Sequence, residues 1–206
     1  VNFPQKKTIH GNLVEVLRYG ENPHQQSAIY SRNVNLDLHQ LSGKKLSYNN
    51  YSDIYSALNI SQTLPKNTGT VIIKHANPCG VSINKNKIDS YKEALACDPI
   101  SAFGGIVSCN YKVTKTVAQE LSKLFLEVII GKGFDKDSLK MLKKKKNVRL
   151  IDASRLISRN YKNVVSNFDS LLLQNIDNKV FTRDNFKVVS KVQPTKKIFN
   201  ELLFAF

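Results

Sequence analysis

The stretch Val71-Ile72-Ile73-Lys74-His75-Ala76-Asn77-Pro78-Cys79-Gly80 decides the fold. Its first three residues are β-branched, and such an apolar run predicts a short strand that is buried on both faces. The strand should end at Lys74 and His75, with a rigid turn at Asn77-Pro78 directly after it. Because ligands bind beyond the carboxyl ends of strands in open α/β sheets, Lys74 and His75 are candidates for an acid–base pair. The plainer alternative is a solvated pair of side chains at a strand end.

The composition is that of a globular protein. Of the 206 residues, 41% are hydrophobic, which argues against a disordered chain and allows one buried core with an appendage. Lys and Arg outnumber Asp and Glu by 31 to 16, giving a net charge of +15. This excess fits an anionic small substrate, a proteome rich in Lys, or a nucleic-acid surface. We favour the first two, because the Lys residues are dispersed and no basic stripe carries aromatic residues.

The cysteines and the apolar segments indicate the cellular compartment in which the protein is expected. Cys79, Cys97 and Cys109 are odd in number and not closely paired, which is typical of a reducing cytosol rather than of a disulfide framework. No apolar run approaches the length of a membrane span, so we expect a cytoplasmic protein without a membrane partner. The chain begins at Val1 and ends with the apolar run 202–206. We therefore expect a piece of a longer protein.

Strand and helix patterns alternate between residues 71 and 151. Strands are predicted at 71–75, 106–109, 127–130 and 148–151, and helices at 88–97, at 115–125 and from 136 to a last turn at Lys143–Lys146. This alternation favours parallel βαβ units in a three-layer α/β/α fold.

The regions on either side are less regular. Ser52 is predicted to cap a helix that runs to about Leu64, and Thr195 to open a final amphipathic helix. Segments 163–173 and 186–192 look like β ribbon or irregular connection. We divide the chain accordingly into an N-terminal loop region (1–50), an α/β core (51–152) and a less regular C-terminal region (153–206).

Several polar residues outside the central strand suit a ligand. Arg18 can pair with a phosphate and Tyr19 can stack on a flat ring, although both could belong to a simple polar loop. Gly104 and its neighbour Gly105 let the backbone approach a ligand, or they form a tight turn. Glu127 opens an apolar strand, where a carboxylate needs a partner. Asn49, Asn50 and Asp53 serve the site or close turns, and we favour turns.

Metal chemistry and a nucleophilic cysteine are both disfavoured. Zinc deaminases carry H-x-E followed by P-C-x-x-C, whereas this chain has Asn77 in place of the carboxylate and Ser82 in place of the second cysteine. We therefore expect no metal. Cys79 has only His75 as a nearby base and no orienting carboxylate, so we interpret it as structural.

Four motifs occur in order: Arg-Tyr-Gly-Glu-Asn-Pro-His-Gln from Arg18, Leu-Ser-Tyr-Asn-Asn from Leu46, Ile-Lys-His-Ala-Asn-Pro-Cys-Gly from Ile73 and Asp-Pro-Ile-Ser-Ala-Phe-Gly-Gly from Asp98. Together they strongly resemble the bifunctional AICAR transformylase/IMP cyclohydrolase family. The resemblance implies a cytidine-deaminase-like α/β/α subdomain without zinc. It also implies formyl transfer from 10-formyltetrahydrofolate to the 5-amino group of AICAR, on the way to IMP.

The resemblance assigns roles to six residues. Lys74 and His75 would be catalytic, and the AICAR-binding residues would be Arg18, Tyr19, Gly104 and Glu127.

The resemblance also implies what lies outside the chain. The chain would be the first of two subdomains of the transformylase domain, and the cyclohydrolase domain would lie outside it. Most of the folate site would also lie outside it, and the complete protein would form a homodimer. We expect it to be inactive by itself. The alternative function is a basic RNA-binding or interaction module without catalysis; we expect no nucleic-acid partner.

Overall fold

The apolar run at Val71–Ile73 forms a strand in which all three side chains are buried, as the sequence predicts. The structure is a computed structural model that describes residues 3–33, 36–156, 162–177, 179 and 181–206. It divides the chain into unit 1, residues 1–158, and unit 2, residues 159–206. Residues 157–161, which fall in the predicted C-terminal region, lie outside the described part.

Unit 1 contains eight strands and four helices among its described residues. The strands are β1 (Asn12–Val16), β2 (Ala28–Ser31), β3 (His39–Ser42), β4 (Gly69–Lys74), β5 (Asn77–Ile83), β6 (Ile106–Cys109), β7 (Val128–Gly131) and β8 (Arg149–Asp152). The helices are α1 (Tyr48–Thr63), α2 (Lys87–Cys97), α3 (Lys115–Leu121) and α4 (Lys136–Leu142).

A six-stranded sheet forms the middle layer of unit 1. Its order is β3-β8-β7-β6-β4-β5, and β1 and β2 form a separate antiparallel pair. Helix α1 covers one face through Ile54, Ala57 and Leu58, which pack with Val71 and Ile73. Helices α2, α3 and α4 cover the opposite face, which includes Ile72, Val107, Ile129 and Leu150. The predicted three-layer α/β/α fold is therefore confirmed.

The prediction of parallel βαβ units is correct for β6, β7 and β8 and wrong for β4. Only β6, β7 and β8 run parallel to one another, whereas β4 is antiparallel to both β5 and β6, and β3 is antiparallel to β8. The carboxyl end of β4 consequently lies beside the amino ends of β6, β7 and β8. This arrangement decides where the polar side chains of the four strands meet.

Strand β5 is the element that sequence reasoning missed. Asn77-Pro78 does not form the turn; the turn is His75-Ala76, and Asn77 pairs with Lys74 as the first residue of β5. A proline is tolerated here because β5 is the edge strand and because the register shifts between Ile72 and Ile73, where the ladder is irregular. Asn77 and Pro78 are residue types that are common in turns, and the sequence therefore did not indicate that they begin a strand.

Three helix boundaries also differ from the prediction. Helix α1 begins at Tyr48, not after Ser52, because Ser47 and Asn50 form a reciprocal capping box. Helix α3 ends at Leu121 rather than Phe125, and the Phe125 carbonyl instead accepts the Gly104 N–H at 2.8 Å. Helix α4 ends at Leu142, so the Lys143–Lys146 run follows the helix rather than forming its last turn.

Unit 2 combines a hairpin with a helix. Strands β9 (Lys162–Asn167) and β10 (Ser170–Asn175) pair antiparallel, which agrees with the ribbon predicted near 163–173. Residues 186–192 contain no strand. Helix α5 (Lys196–Ala205) begins after Thr195, whose side chain accepts the Ile198 N–H, as the sequence predicts. In the described part of the chain, no helix is long and apolar enough to cross a membrane.

Replacing Gly80 by Ala should destabilise unit 1, because a Cβ at Gly80 would overlap the backbone carbonyl oxygen of Ala94 in α2. Backbone cannot move aside as a side chain can, so we expect the free energy of unfolding to fall by about 3 kcal/mol. Gly133→Ala is the matched control, since a Cβ there would meet only the Lys112 side chain, at an ordinary 4.0 Å, and the cost is that of the positive φ of 96°, about 1–2 kcal/mol. Urea unfolding of both variants tests this. An equal or smaller loss for Gly80→Ala would contradict the packing of β5 against α2.

Candidate functional site

A cavity of about 520 Å³ opens at the sheet edge where β4 ends and β6, β7 and β8 begin. It lies wholly within unit 1 and is lined mainly by polar and charged side chains, with the aromatic rings of Tyr19, Phe103 and Phe125. The lining residues are Arg18, Tyr19, Lys44, Ser47, Asn49, Asn50, Asp53, Lys74, His75, Phe103, Gly104, Phe125, Glu127, Asn147 and Arg149.

All six residues singled out from the sequence line this one cavity, although 109 positions separate Arg18 from Glu127. The expected location at the carboxyl ends of parallel strands is wrong, however. Gly104 and Glu127 precede β6 and β7, so the cavity lies at the amino ends of the parallel strands. Lys74 and His75 reach the same place because β4 runs in the opposite direction to β6.

Lys74 and His75 are held by different elements. Lys74 is the last residue of β4, and its Nζ donates a hydrogen bond to the Phe103 carbonyl at 2.6 Å. An ammonium group has three N–H donors, so two remain for other acceptors. His75 is exposed in the turn, with a φ of 53°. This left-handed conformation costs a non-glycine residue about 1–2 kcal/mol.

Two glycines allow the loop before β6 to approach β4. Gly104 has a φ of 72°, and its N–H donates to the Phe125 carbonyl at 2.8 Å. A Cβ at Gly105 would lie 2.8 Å from the Ile73 carbonyl oxygen. Gly105 therefore lets the loop pass close to the end of β4, and Gly104 provides the positive φ that the loop requires. Phe103 and Phe125 pack beside it with ring centroids 5.4 Å apart.

Glu127 has the partners that its position requires. Its Oε2 accepts a hydrogen bond from Asn50 Nδ2 at 3.2 Å and lies 3.9 Å from Arg149 Nη1. Asn50 also accepts the Ser47 N–H at 3.2 Å in the capping box of α1. The beginning of α1 and the beginnings of β7 and β8 are thus joined by one polar network.

The segment after β1 brings Arg18 and Tyr19 to the cavity. The Arg18 guanidinium lies 5.0 Å from the centre of the Tyr19 ring, in cation–π geometry. The Tyr19 carbonyl accepts the Ser27 hydroxyl at 2.7 Å, and the Leu17 N–H donates to the Ser27 carbonyl at 2.9 Å. These bonds fix the backbone on both sides of Arg18.

Arg149 is a cavity residue that sequence reasoning missed. Its side chain is only 12% exposed, and its buried Nε has no hydrogen-bond partner. The sequence contains a signal for it, because Arg149 begins an apolar strand just as Glu127 precedes the strand before it. Lys44, Asp53 and Asn50 also line the cavity but were not assigned to it from the sequence. For Asp53 and Asn50 the reason is that we favoured a role in closing turns.

The charges of the lining favour an anionic ligand. Four basic side chains, Arg18, Lys44, Lys74 and Arg149, surround the cavity with two carboxylates, Asp53 and Glu127. Burial raises the pKa of Asp53, against the opposing effects of the Ala76 N–H and of His75. The excess of cations leaves a net positive cavity that can hold a phosphate group.

Other chemistries find less support in the described residues. Burial, followed by the nearby Asp98, raises the pKa of the Cys79 thiol, which disfavours a nucleophilic thiolate. No three His, Cys, Asp or Glu side chains of the described segments come together as metal ligands. Unit 2 contains a larger cavity of about 720 Å³, but its lining is mainly apolar and lacks a comparable cluster of charges.

Comparisons with known proteins agree on one family. The family model described as AICARFT/IMPCHase bienzyme matches residues 1–206. Three similar relatives are bifunctional purine biosynthesis proteins PurH: those of Caulobacter vibrioides (38% identical), Leptospira biflexa (39%) and Caldicellulosiruptor saccharolyticus (40%). The matches cover 100%, 100% and 99% of this chain.

The same matches cover 40%, 40% and 41% of those relatives, so the chain spans about two fifths of their length. They do not support the alternative of an RNA-binding or interaction module.

Asn50→Ala should destabilise unit 1, because Asn50 is buried and joins the cap of α1 to Glu127. Loss of the cap and of the bond to a carboxylate should lower the free energy of unfolding by about 2 kcal/mol. Asn49→Ala is the control: Asn49 is exposed and donates only to the Glu21 carbonyl, and we expect a loss below about 0.5 kcal/mol. Thermal unfolding of the two variants should separate them; equal losses would contradict this role for Asn50.

Proposed function

We propose, since this chain belongs to the AICARFT/IMPCHase bienzyme family, that its cavity binds the nucleotide AICAR and contributes to formyl transfer onto it. The formyl donor is 10-formyltetrahydrofolate, and the acceptor is the 5-amino group of AICAR. The observation that carries the proposal is the convergence of the six residues Arg18, Tyr19, Lys74, His75, Gly104 and Glu127 on one cavity.

The cavity supplies what the nucleotide needs. AICAR is a phosphorylated ribose with a flat imidazole ring, and the basic side chains of the lining suit its phosphate. The Arg18–Tyr19 pair offers a guanidinium beside an aromatic face. Gly104 adds space, and Glu127 can accept hydrogen bonds from amino groups.

His75 is the proposed general base. The AICAR amine is a weak nucleophile, because its lone pair is delocalised toward the carboxamide. As the amine nitrogen attacks the formyl carbon, a neutral His75 accepts the proton that the nitrogen loses. His75 is exposed at the cavity in a turn, so its ring is accessible to a bound nucleotide.

Lys74 is the proposed electrostatic partner. Attack on the formyl carbon places negative charge on the formyl oxygen, and a fixed ammonium group stabilises that charge. The bond from Lys74 Nζ to the Phe103 carbonyl holds the ammonium at the cavity and leaves donors for the oxyanion. The C–N bond of the folate then breaks, and the folate nitrogen takes up the proton that His75 accepted from the amine.

The proposal extends to the longer protein. We infer that the chain is the first of two transformylase subdomains, that a separate domain carries IMP cyclohydrolase activity, and that the protein acts as a homodimer in the cytoplasm. The remaining transformylase half would supply most of the folate site. The free cysteines Cys79, Cys97 and Cys109 are consistent with a reducing compartment.

Lys74→Ala and His75→Ala, made in the complete protein, should each lower transformylase turnover by roughly a hundredfold, with smaller effects on AICAR binding. Steady-state kinetics with 10-formyltetrahydrofolate measure this. The cyclohydrolase activity of both variants should be unchanged. Cys79→Ser, a substitution close to these residues along the chain, should have only a mild effect on formyl transfer. Near-normal formyl transfer by His75→Ala would exclude it as the base.

Arg18→Ala and Arg149→Ala should each weaken AICAR binding by about tenfold or more, because each removes a charge-assisted contact worth about 1.4 kcal/mol or more. Arg155→Ala is the matched control, since Arg155 is exposed and does not line the cavity. Calorimetric titration of the complete protein at two salt concentrations gives the affinities. Equal affinities for the Arg149 and Arg155 variants would remove Arg149 from the site.

A further inference from the structure

The turn that carries His75 has a conformation that its own residues disfavour. His75 and Ala76 both have positive φ, 53° and 60°. Two-residue hairpin turns of this kind favour Asn and Gly, which adopt left-handed conformations at low cost. The chain has neither type at these two positions. Contacts from elsewhere in the fold must therefore keep the turn in this conformation.

Asp53 makes such a contact. Its Oδ1 accepts a hydrogen bond from the Ala76 N–H at 2.6 Å, and a carboxylate acceptor makes this bond stronger than one between neutral groups. Helix α1 anchors Asp53, because Ile54 and Ala57 beside it are completely buried against the sheet. On the other side of the turn, Asn77 Nδ2 donates to the His75 carbonyl at 2.9 Å.

The contact acts at the second turn residue, directly beside His75. If the peptide between His75 and Ala76 rotates, the imidazole of His75 moves with the backbone. A displacement of about 1 Å in a reacting group can cost on the order of a hundredfold in rate. The turn conformation is therefore part of the geometry of the proposed general base.

We propose that Asp53 is a positioning residue for His75: its carboxylate holds the Ala76 N–H and thereby keeps the left-handed turn that presents the imidazole to the cavity. The inference rests on the function proposed above for His75. Asp53 also lines the cavity, so the competing role is direct proton exchange with the substrate. An oxygen acceptor is sufficient for the first role, whereas the second requires an ionisable group.

Three variants of the complete protein distinguish these roles. Asp53→Ala removes the acceptor and should lower kcat for formyl transfer by about tenfold or more, with KM for AICAR within about threefold. Asp53→Asn keeps an oxygen at the same place and should retain kcat within about threefold. Ser52→Ala, an exposed neighbour on α1 that does not line the cavity, is the control and should behave as wild type. Equal losses for the Ala and Asn variants would overturn the positioning role.

A second change should rescue the turn. Glycine at position 76 accepts the positive φ of 60° without a steric cost, so the turn then depends less on Asp53. Adding Ala76→Gly to Asp53→Ala should therefore raise kcat at least about threefold above the single variant. If Ala76→Gly fails to restore any activity in that background, the inference is wrong.

Hydrogen exchange provides a readout that does not depend on activity. Ala76 is exposed, so its amide should be protected only through Asp53. Mass spectrometry of a peptide spanning residues 74–79 should show faster exchange in Asp53→Ala than in wild type, with no change in a peptide from β6. Unchanged protection would overturn the inference, even if formyl transfer is normal. Absence of formyl transfer by the wild-type protein would instead overturn the proposed function, and loss of protection would still support Asp53 as the residue that holds the turn.

Discussion

The reversal of the chain between Lys74 and Asn77 is the constraint on which the cavity depends. Because the two-residue turn returns the chain at once into β5, helix α2 then leads to a β6 that runs opposite to β4. The end of β4 therefore meets the beginnings of β6, β7 and β8. In an all-parallel sheet, the residue that ends one strand and the residues that begin the others would lie at opposite edges, and the polar groups would not converge.

The electrostatics of the cavity follow from this convergence. A short strand can carry a charged side chain at its end at little cost, because the group reaches solvent there rather than the core. Lys74 ends β4 and Glu127 directly precedes β7, and both side chains reach solvent. Arg149 begins β8 and is only 12% exposed, with Glu127 as its neighbouring carboxylate. The network from Asn50 through Glu127 to Arg149 then ties the beginnings of β7 and β8 to the first turn of α1. Helix position, strand register and cavity charge are thus linked by the same hydrogen bonds.

The sequence predicted the strands and layers better than their directions. Runs such as Val71–Ile73 and Ile106–Cys109 are mostly apolar, which favours strands that are buried on both faces, as in a three-layer fold. Direction was not readable, because Asn77-Pro78 has the composition of a turn although it begins an edge strand. Six cavity residues could be found from motifs, whereas Asp53 could not, since its role depends on a bond to the backbone of a turn 23 positions away.

The adjacency of Lys74 and His75 has a structural consequence that a motif does not reveal. Successive side chains in a regular strand point to opposite faces, so two neighbouring residues within a strand do not share one face of the sheet. Both line the cavity here because the strand ends at Lys74 and His75 enters the left-handed region. A turn with less strain would not orient the second residue in the same way. The disfavoured conformation at His75 is therefore what allows two consecutive residues to line the same cavity, and the contacts that maintain it belong to the site as much as the side chains that line it.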